Sequence, residues 1–232
     1  MKTAIFSVVA ASTLFVLMGC HNRAEMQALE PTQAEALKPM QQSWRGVLPC
    51  ADCEGIETSL FLEKDGSWVM NQHYQGAKAP SSFASYGTWA RTADKLVLTD
   101  TAGEKRYFRA KGEGLEMLDM QGNPIESQFN YTLAPVTAAL PATPMAMRGM
   151  YFYMADAAIF TDCATGKKVS VANNAQLERD YAAARGSDTK PVLLTVDGHF
   201  TLEANPDSGE RVKTLVPDRD ARFEAGKNCD SK

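Results

Sequence analysis

At 232 residues, with 24 basic side chains against 28 acidic ones and 44% of positions hydrophobic, the chain has the length for one large or two small domains and the apolar content for a real core. The acidic excess, without any basic block, argues against a nucleic-acid-binding surface. Glycine and aromatic residues recur at short intervals, which suggests β structure.

The chain opens with Lys2 and an apolar run from Ala4 to Met18, closed by Gly19 and Cys20. A positive start, a short apolar run and a small-residue cut site make a secretory signal peptide over residues 1–19. The run falls short of the ~20 apolar residues a membrane-spanning helix needs. Leu17-Met18-Gly19-Cys20 resembles the lipobox of bacterial lipoproteins. That resemblance implies cleavage before Cys20, a diacylglycerol thioether on its sulfur and a fatty acyl group such as palmitate on its amino group. The next residue is His21, not aspartate, which by resemblance to enterobacterial sorting patterns implies the outer membrane. Several acyl chains anchor durably, at ~0.8 kcal/mol per buried methylene. The mature chain is then a tethered periplasmic or surface protein whose thiols meet an oxidising compartment.

Residues 20–43 carry the lipidated cysteine and a polar stretch rich in Ala, Gln and Glu, broken by Pro31 and Pro39. As a flexible coil it spans roughly 25 Å. Residues 44–133 read as short strands joined by turns. Ile56, Thr58, Leu60 and Leu62 alternate with Glu57, Ser59 and Glu63, the period of a half-buried strand. Lys64-Asp65-Gly66-Ser67 is a hairpin turn and Ser67–Tyr74 the return strand. Strands are expected at 82–90, 95–99, 105–109, 115–118 and 129–133. An antiparallel meander of this kind removes its unpaired edges by closing into a small barrel. Trp68, Trp89, Phe83 and Tyr86 are expected to line or fill its interior, where an apolar ligand is the third functional reading.

Residues 134–146 contain three prolines and no charge, so neither helix nor strand is expected to run through them, and they mark the domain boundary. In residues 147–232, strands are expected at 148–155, 159–163 and 168–172. Asn173 or Asn174 then caps a helix running to about Ala184, with Leu177, Tyr181 and Ala184 on one face and Gly186 past its end. Pro191–Val196 and His199–Ala204 read as a hairpin across Asp197-Gly198, with a last strand inside Arg211–Phe223. The order β-β-β-α-β-β is that of an OB-fold.

With Cys20 consumed by lipid, Cys50, Cys53, Cys163 and Cys229 remain. Four cysteines allow three pairings; chain position favours Cys50–Cys53 and Cys163–Cys229, and spacing alone does not decide. Cys50-Ala51-Asp52-Cys53 lacks the helix that lowers a thiolate pKa in redox dithiols, and Asp52 and Glu54 raise it. Reduced, the two sulfurs suit Cu(I), with His73 as an additional ligand; oxidised, they staple a short turn and report redox state. Loss of that bridge is expected to open the first domain. Cys163–Cys229 closes a long loop worth ~4 kcal/mol and would register failed oxidative folding. Met145, Met147, Met150 and Met154 are a weaker Cu(I) set, because spacings of two, three and four do not line one strand face. No motif for nucleophilic, zinc-dependent or phosphate chemistry is present, so no catalysis and no obligatory cofactor are expected.

The block Trp44-Arg-Gly-Val-Leu-Pro-Cys-Ala-Asp-Cys-Glu-Gly-Ile-Glu-Thr, the Arg148-Gly-Met-Tyr-Phe-Tyr-Met-Ala-Asp segment and the paired late cysteines together resemble the NlpE/CutF family of outer-membrane lipoproteins. The resemblance covers essentially the whole chain. It implies a lipocalin-like first barrel, an OB-like second domain, and a sensor of envelope stress and surface adhesion. It also implies that the first domain signals to the sensor kinase CpxA of the Cpx pathway, with a looser link to copper homeostasis.

Overall fold

The computed structural model describes residues 42–76, 81–205 and 208–231. The signal peptide, Cys20 and residues 21–41 lie outside the described residues.

Eight strands make the first barrel: β1 (Gln42–Leu48), β2 (Gly55–Leu62), β3 (Ser67–Gln75), β4 (Ser82–Arg91), β5 (Leu96–Asp100), β6 (Lys105–Lys111), β7 (Gly114–Met117) and β8 (Thr132–Val136). Each pairs antiparallel with the next, and β8 pairs back onto β1 through Ser43↔Val136 and Arg45↔Ala134. Closure leaves no free edge, and an eight-stranded meander has an interior just wide enough for side chains to fill. Trp44, Leu60, Trp68, Leu98, Phe108 and Leu133 fill it, with Leu48, Leu62 and Met70 beside them. The β2–β3 turn is the expected one, with Gly66 at φ +83°. Gly87 permits a close approach inside the barrel: a Cβ there would lie 1.9 Å from the Thr99 carbonyl oxygen.

The second barrel contains β9 (Met145–Met154), β10 (Ala157–Asp162), β11 (Lys168–Val171), α1 (Ala175–Arg185), β12 (Val192–Ala204) and β13 (Arg211–Glu224). Its order is β10-β11-β13-β12-β9, closed by β9 on β10, with β11 parallel to β13. That is the OB arrangement. Tyr151, Phe160, Leu194, Val196 and Leu215 form the interior, and Leu177 and Tyr181 of α1 pack into the same cluster. The Tyr181 hydroxyl donates to the Lys190 carbonyl at 2.9 Å. Asn174 occupies the N-cap position of α1 without a side-chain capping bond.

Two local expectations are corrected, and a third holds with shifted bounds: no strand runs through residues 134–146, but β8 continues to Val136 and β9 begins at Met145. Pro135 is tolerated because β7 pairs only with Thr132 and Leu133, leaving β8 flanked by β1 alone at that point. Asp197-Gly198 is not a turn. It is a pair of register shifts inside the continuous β12, which pairs with β9 from Val192 to Gly198 and with β13 from Leu193 to Ala204. A Cβ on Gly198 would meet the Val216 carbonyl oxygen at 2.7 Å, so the glycine serves backbone approach. Finally, β2 is buried on both faces in its second half: Ser59, Leu60, Phe61 and Leu62 are all covered.

Candidate functional site

The Cys50–Cys53 bond, with Cα atoms 5.3 Å apart, closes the connection between β1 and β2. Strands flank it on both sides, and Asp52 and Glu54 are exposed. Both sulfurs are bonded to each other, so neither is a thiolate ligand in this state; a Cu(I) site here requires prior reduction. His73 lies on β3 and its Nδ1 is 3.0 Å from the Ser82 hydroxyl. Among the described residues no group of three or more His, Cys, Asp or Glu side chains could hold a metal ion.

The four methionines divide between the two faces of β9. Met145 and Met147 are buried in the barrel interior, whereas Met150 is half-buried and Met154 is 61% exposed. Strand alternation separates the pairs, so the four thioethers do not converge.

The Cys163–Cys229 bond ties the residue after β10 to the chain's end, also with a Cα separation of 5.3 Å. One side chain that the sequence reading missed organises this tail. The Arg148 guanidinium donates to three carbonyls, those of Cys229 (2.9 Å), Asn228 (3.1 Å) and Ser231 (2.6 Å). The Cys163 amide donates to the Arg148 carbonyl at 2.9 Å. Arg148 therefore clasps both ends of the bridge.

A second unpredicted feature is the seam between the barrels. Phe61, Val69 and Tyr86 are successive cross-strand partners on β2, β3 and β4. They face out of the first barrel and belong to the apolar cluster of the second. The Tyr86 ring meets Phe200 edge-on with centroids 5.5 Å apart. Its hydroxyl donates to Asp162 Oδ1 at 2.7 Å. The other oxygen of Asp162 accepts from the Thr165 amide and hydroxyl, both at 2.7 Å. Tyr86 was expected inside the first barrel; strand alternation places it outside, while Trp68 fills the interior and Phe83 is 53% exposed.

Around this row sits a charged cluster. Lys213 of β13 pairs with Asp65 at 2.8 Å, bonds the Ser67 hydroxyl and lies over the Phe200 ring, 5.1 Å from its centroid. Burial is the largest influence on the Asp65 carboxyl, yet the bonds from Lys213 and Ser67 together hold it below its ordinary value. Glu63 is 8% exposed, and burial pushes its carboxyl above the ordinary value, against the pull of Lys213.

These shifts have opposite linkage. The Glu63 contribution is fully present below pH 4.5 and is lost as pH rises through its folded-state value. The Asp65 contribution is present above its unfolded value of 3.8 and lost as pH falls below it. Glu63→Gln is expected to flatten the decline in stability as pH rises from 4.5 toward neutrality. Denaturant midpoints across that range, unchanged in slope between wild type and variant, would refute this.

Signals for the seam were present in the sequence. Ser-Leu-Phe-Leu in β2 breaks strict alternation, and a strand apolar on both faces is a strand covered on both faces.

Comparison with known proteins places these features in context. The family model described as the NlpE N-terminal domain matches residues 44–128, and that of the NlpE C-terminal OB domain matches residues 141–230. Lipoprotein NlpE of Escherichia coli strain K12 is 69% identical over 231 residues, spanning 99% of this chain and 98% of that one. The crystal structure of the Cpx pathway activator NlpE from Escherichia coli shares 71% identity, covering 84% of this chain and 100% of that one, with a TM-score of 0.42.

Proposed function

The chain belongs to the NlpE family, and from that premise we propose that it is an outer-membrane lipoprotein that activates the Cpx envelope-stress pathway through the sensor kinase CpxA. The observation that carries this is the 69% identity, over nearly the full length of both chains, to the Escherichia coli lipoprotein NlpE. That protein is described with its crystal structure as the Cpx pathway activator. The anchor is Cys20, acylated after cleavage at Gly19, and residues 20–43 lift the first barrel off the membrane. The first barrel, residues 44–133, makes the contact with the kinase's periplasmic domain. Residues 147–232 form the second module, whose Cys163–Cys229 bridge registers whether oxidative folding has succeeded. The same surface serves the response to adhesion.

The test is site-specific photocrosslinking of the full chain in cells, read together with a Cpx-dependent reporter. Crosslinks to the kinase are expected from positions within 44–133, and the reporter response is expected to vanish when the kinase gene is deleted. Crosslinks confined to 147–232, or a response that survives the deletion, would overturn the assignment. Intact mass of the purified protein is expected to show the lipid adduct at Cys20.

A further inference from the structure

We propose that the seam-facing surface of the first barrel is its docking surface for the signalling partner, and that the second barrel occupies it as a built-in competitor. This rests on the reading that the chain signals through the first barrel to a kinase sensor domain.

The surface differs from the rest of the barrel's exterior. On β2, outward positions run Glu57, Ser59, Phe61; on β3, His73, Asn71, Val69; on β4, Ser82, Ala84, Tyr86. Each strand turns from polar to apolar toward the β2–β3 hairpin, and the three apolar ends are in register. Glu63 and Asp65 border the row. The result is a compact apolar strip with two carboxylates at one end. Cys50–Cys53, on the β1–β2 connection, lies at the opposite end of the strands.

What covers the strip shows what it accepts. The second barrel presents Phe200 to Tyr86 and Lys213 to Asp65. Lys167 also approaches the hairpin, its Nζ 3.9 Å from where a Cβ on Gly66 would lie. The complement of this acidic, apolar strip is therefore a basic, apolar protein surface.

The closure is also an incomplete one. Glu63 is 8% exposed and, among the described residues, forms no ion pair, although Lys213 lies near enough to oppose the rise that burial imposes on its carboxyl. The polar bonds across the seam include one from Tyr86 to Asp162 and those of Lys213. A buried carboxylate without a bonded cation favours exchange for a partner that supplies one. Residues 137–144, between β8 and β9, are outside any strand, with Ala138 and Leu140 packed against the shared cluster, so displacement of the second barrel would have to release these two side chains as well.

The test separates masking from docking. Lys213→Glu leaves the first barrel unaltered and sets a third carboxylate against Glu63 and Asp65, opening the seam. It is expected to raise binding of the purified kinase sensor domain, and the Cpx reporter, by about tenfold, equivalent to 1.4 kcal/mol. Lys213→Ala, which removes the ion pair without adding charge, is expected to act in the same direction with a smaller rise, and serves if the glutamate variant folds poorly. Adding Val69→Asp to either variant is expected to return binding to or below the wild-type level.

Unchanged binding in both lysine variants, with tryptophan fluorescence intact, overturns the masking. A rise that persists in the double variant overturns the docking assignment. Absence of sensor-domain binding by the wild type and by every variant instead defeats the kinase reading. The seam itself is then judged by zero-length carbodiimide coupling of Lys213 to Asp65, expected in wild type and lost in Lys213→Ala.

Discussion

Replacing Cys163 and Cys229 together by alanine is expected to cost the second barrel about 4 kcal/mol while leaving the first barrel's own stability unchanged. The bridge spans 66 positions, and in the chain-entropy treatment a loop of that length constrains the unfolded chain by about that amount. The double substitution is the proper variant, because a single one leaves an unpaired cysteine free to oxidise or exchange with the other bridge. Arg148 still holds the tail through the carbonyls of Asn228, Cys229 and Ser231, so the native loss is confined to the sulfur link.

The two barrels can be followed separately. Trp44, Trp68 and Trp89 account for all three tryptophans and all lie in the first barrel. Tryptophan fluorescence should therefore keep its denaturant midpoint, while the circular-dichroism transition of the second barrel moves to lower denaturant. Coincident, unshifted transitions would show that the bridge does not stabilise the fold. The Cys50–Cys53 bond closes a loop of only three positions, so replacing both cysteines by alanine is expected to cost less than half as much. The late bridge also adjoins the seam: Asp162, which accepts the Tyr86 hydroxyl, immediately precedes Cys163. Loosening one should weaken the other.

The elements legible in the sequence are those set by local chemistry. Alternation in β2 and the Asp65-Gly66 turn specify a hairpin, because the glycine supplies the positive φ that the turn requires. The Leu177–Tyr181 stripe specifies a helix with one buried face, and α1 buries that face. Asp197-Gly198 carries the same dipeptide and does something else. Its glycine φ is not positive, and long-range pairing of β12 with two different partners keeps the strand continuous. A dipeptide preference of that kind is weak against a ladder built on both sides. Tyr86 failed for a related reason. Local pattern reveals that an aromatic is buried but not which of two barrels buries it, and that is settled by a contact 76 positions away along the chain. Arg148 gave no local signal, since its partners are backbone carbonyls at the far end of the domain.

The other large effect is expected at Trp68, where substitution by alanine should destabilise the first barrel by about 3–5 kcal/mol, the range for emptying a buried aromatic site. Trp68 is 1% exposed and heads the largest fully buried side chains. Its indole N–H donates to the Thr88 carbonyl at 3.0 Å and the Thr99 carbonyl at 3.2 Å. The Thr99 oxygen is the one that Gly87 lets come close, so the ring, the glycine and the β4–β5 pairing form a single arrangement. Trp68→Phe keeps much of the volume but leaves those oxygens without the donor, and should fall between wild type and alanine. Phe83→Ala, at a site 53% exposed, is the control and is expected to stay within about 0.5 kcal/mol of wild type. Equal midpoints for Trp68→Ala and Phe83→Ala would contradict the assignment of the barrel interior. The neighbouring residue gives the substitution reach beyond its own barrel. Val69 points the other way, into the cluster shared with the second barrel. With a side-chain period of two, any rearrangement of β3 that fills the space left by Trp68 also moves Val69 off the seam. Trp68→Ala should therefore weaken carbodiimide coupling of Lys213 to Asp65 as well as the fold, whereas a void that β3 does not move to fill would lower the denaturant midpoint alone.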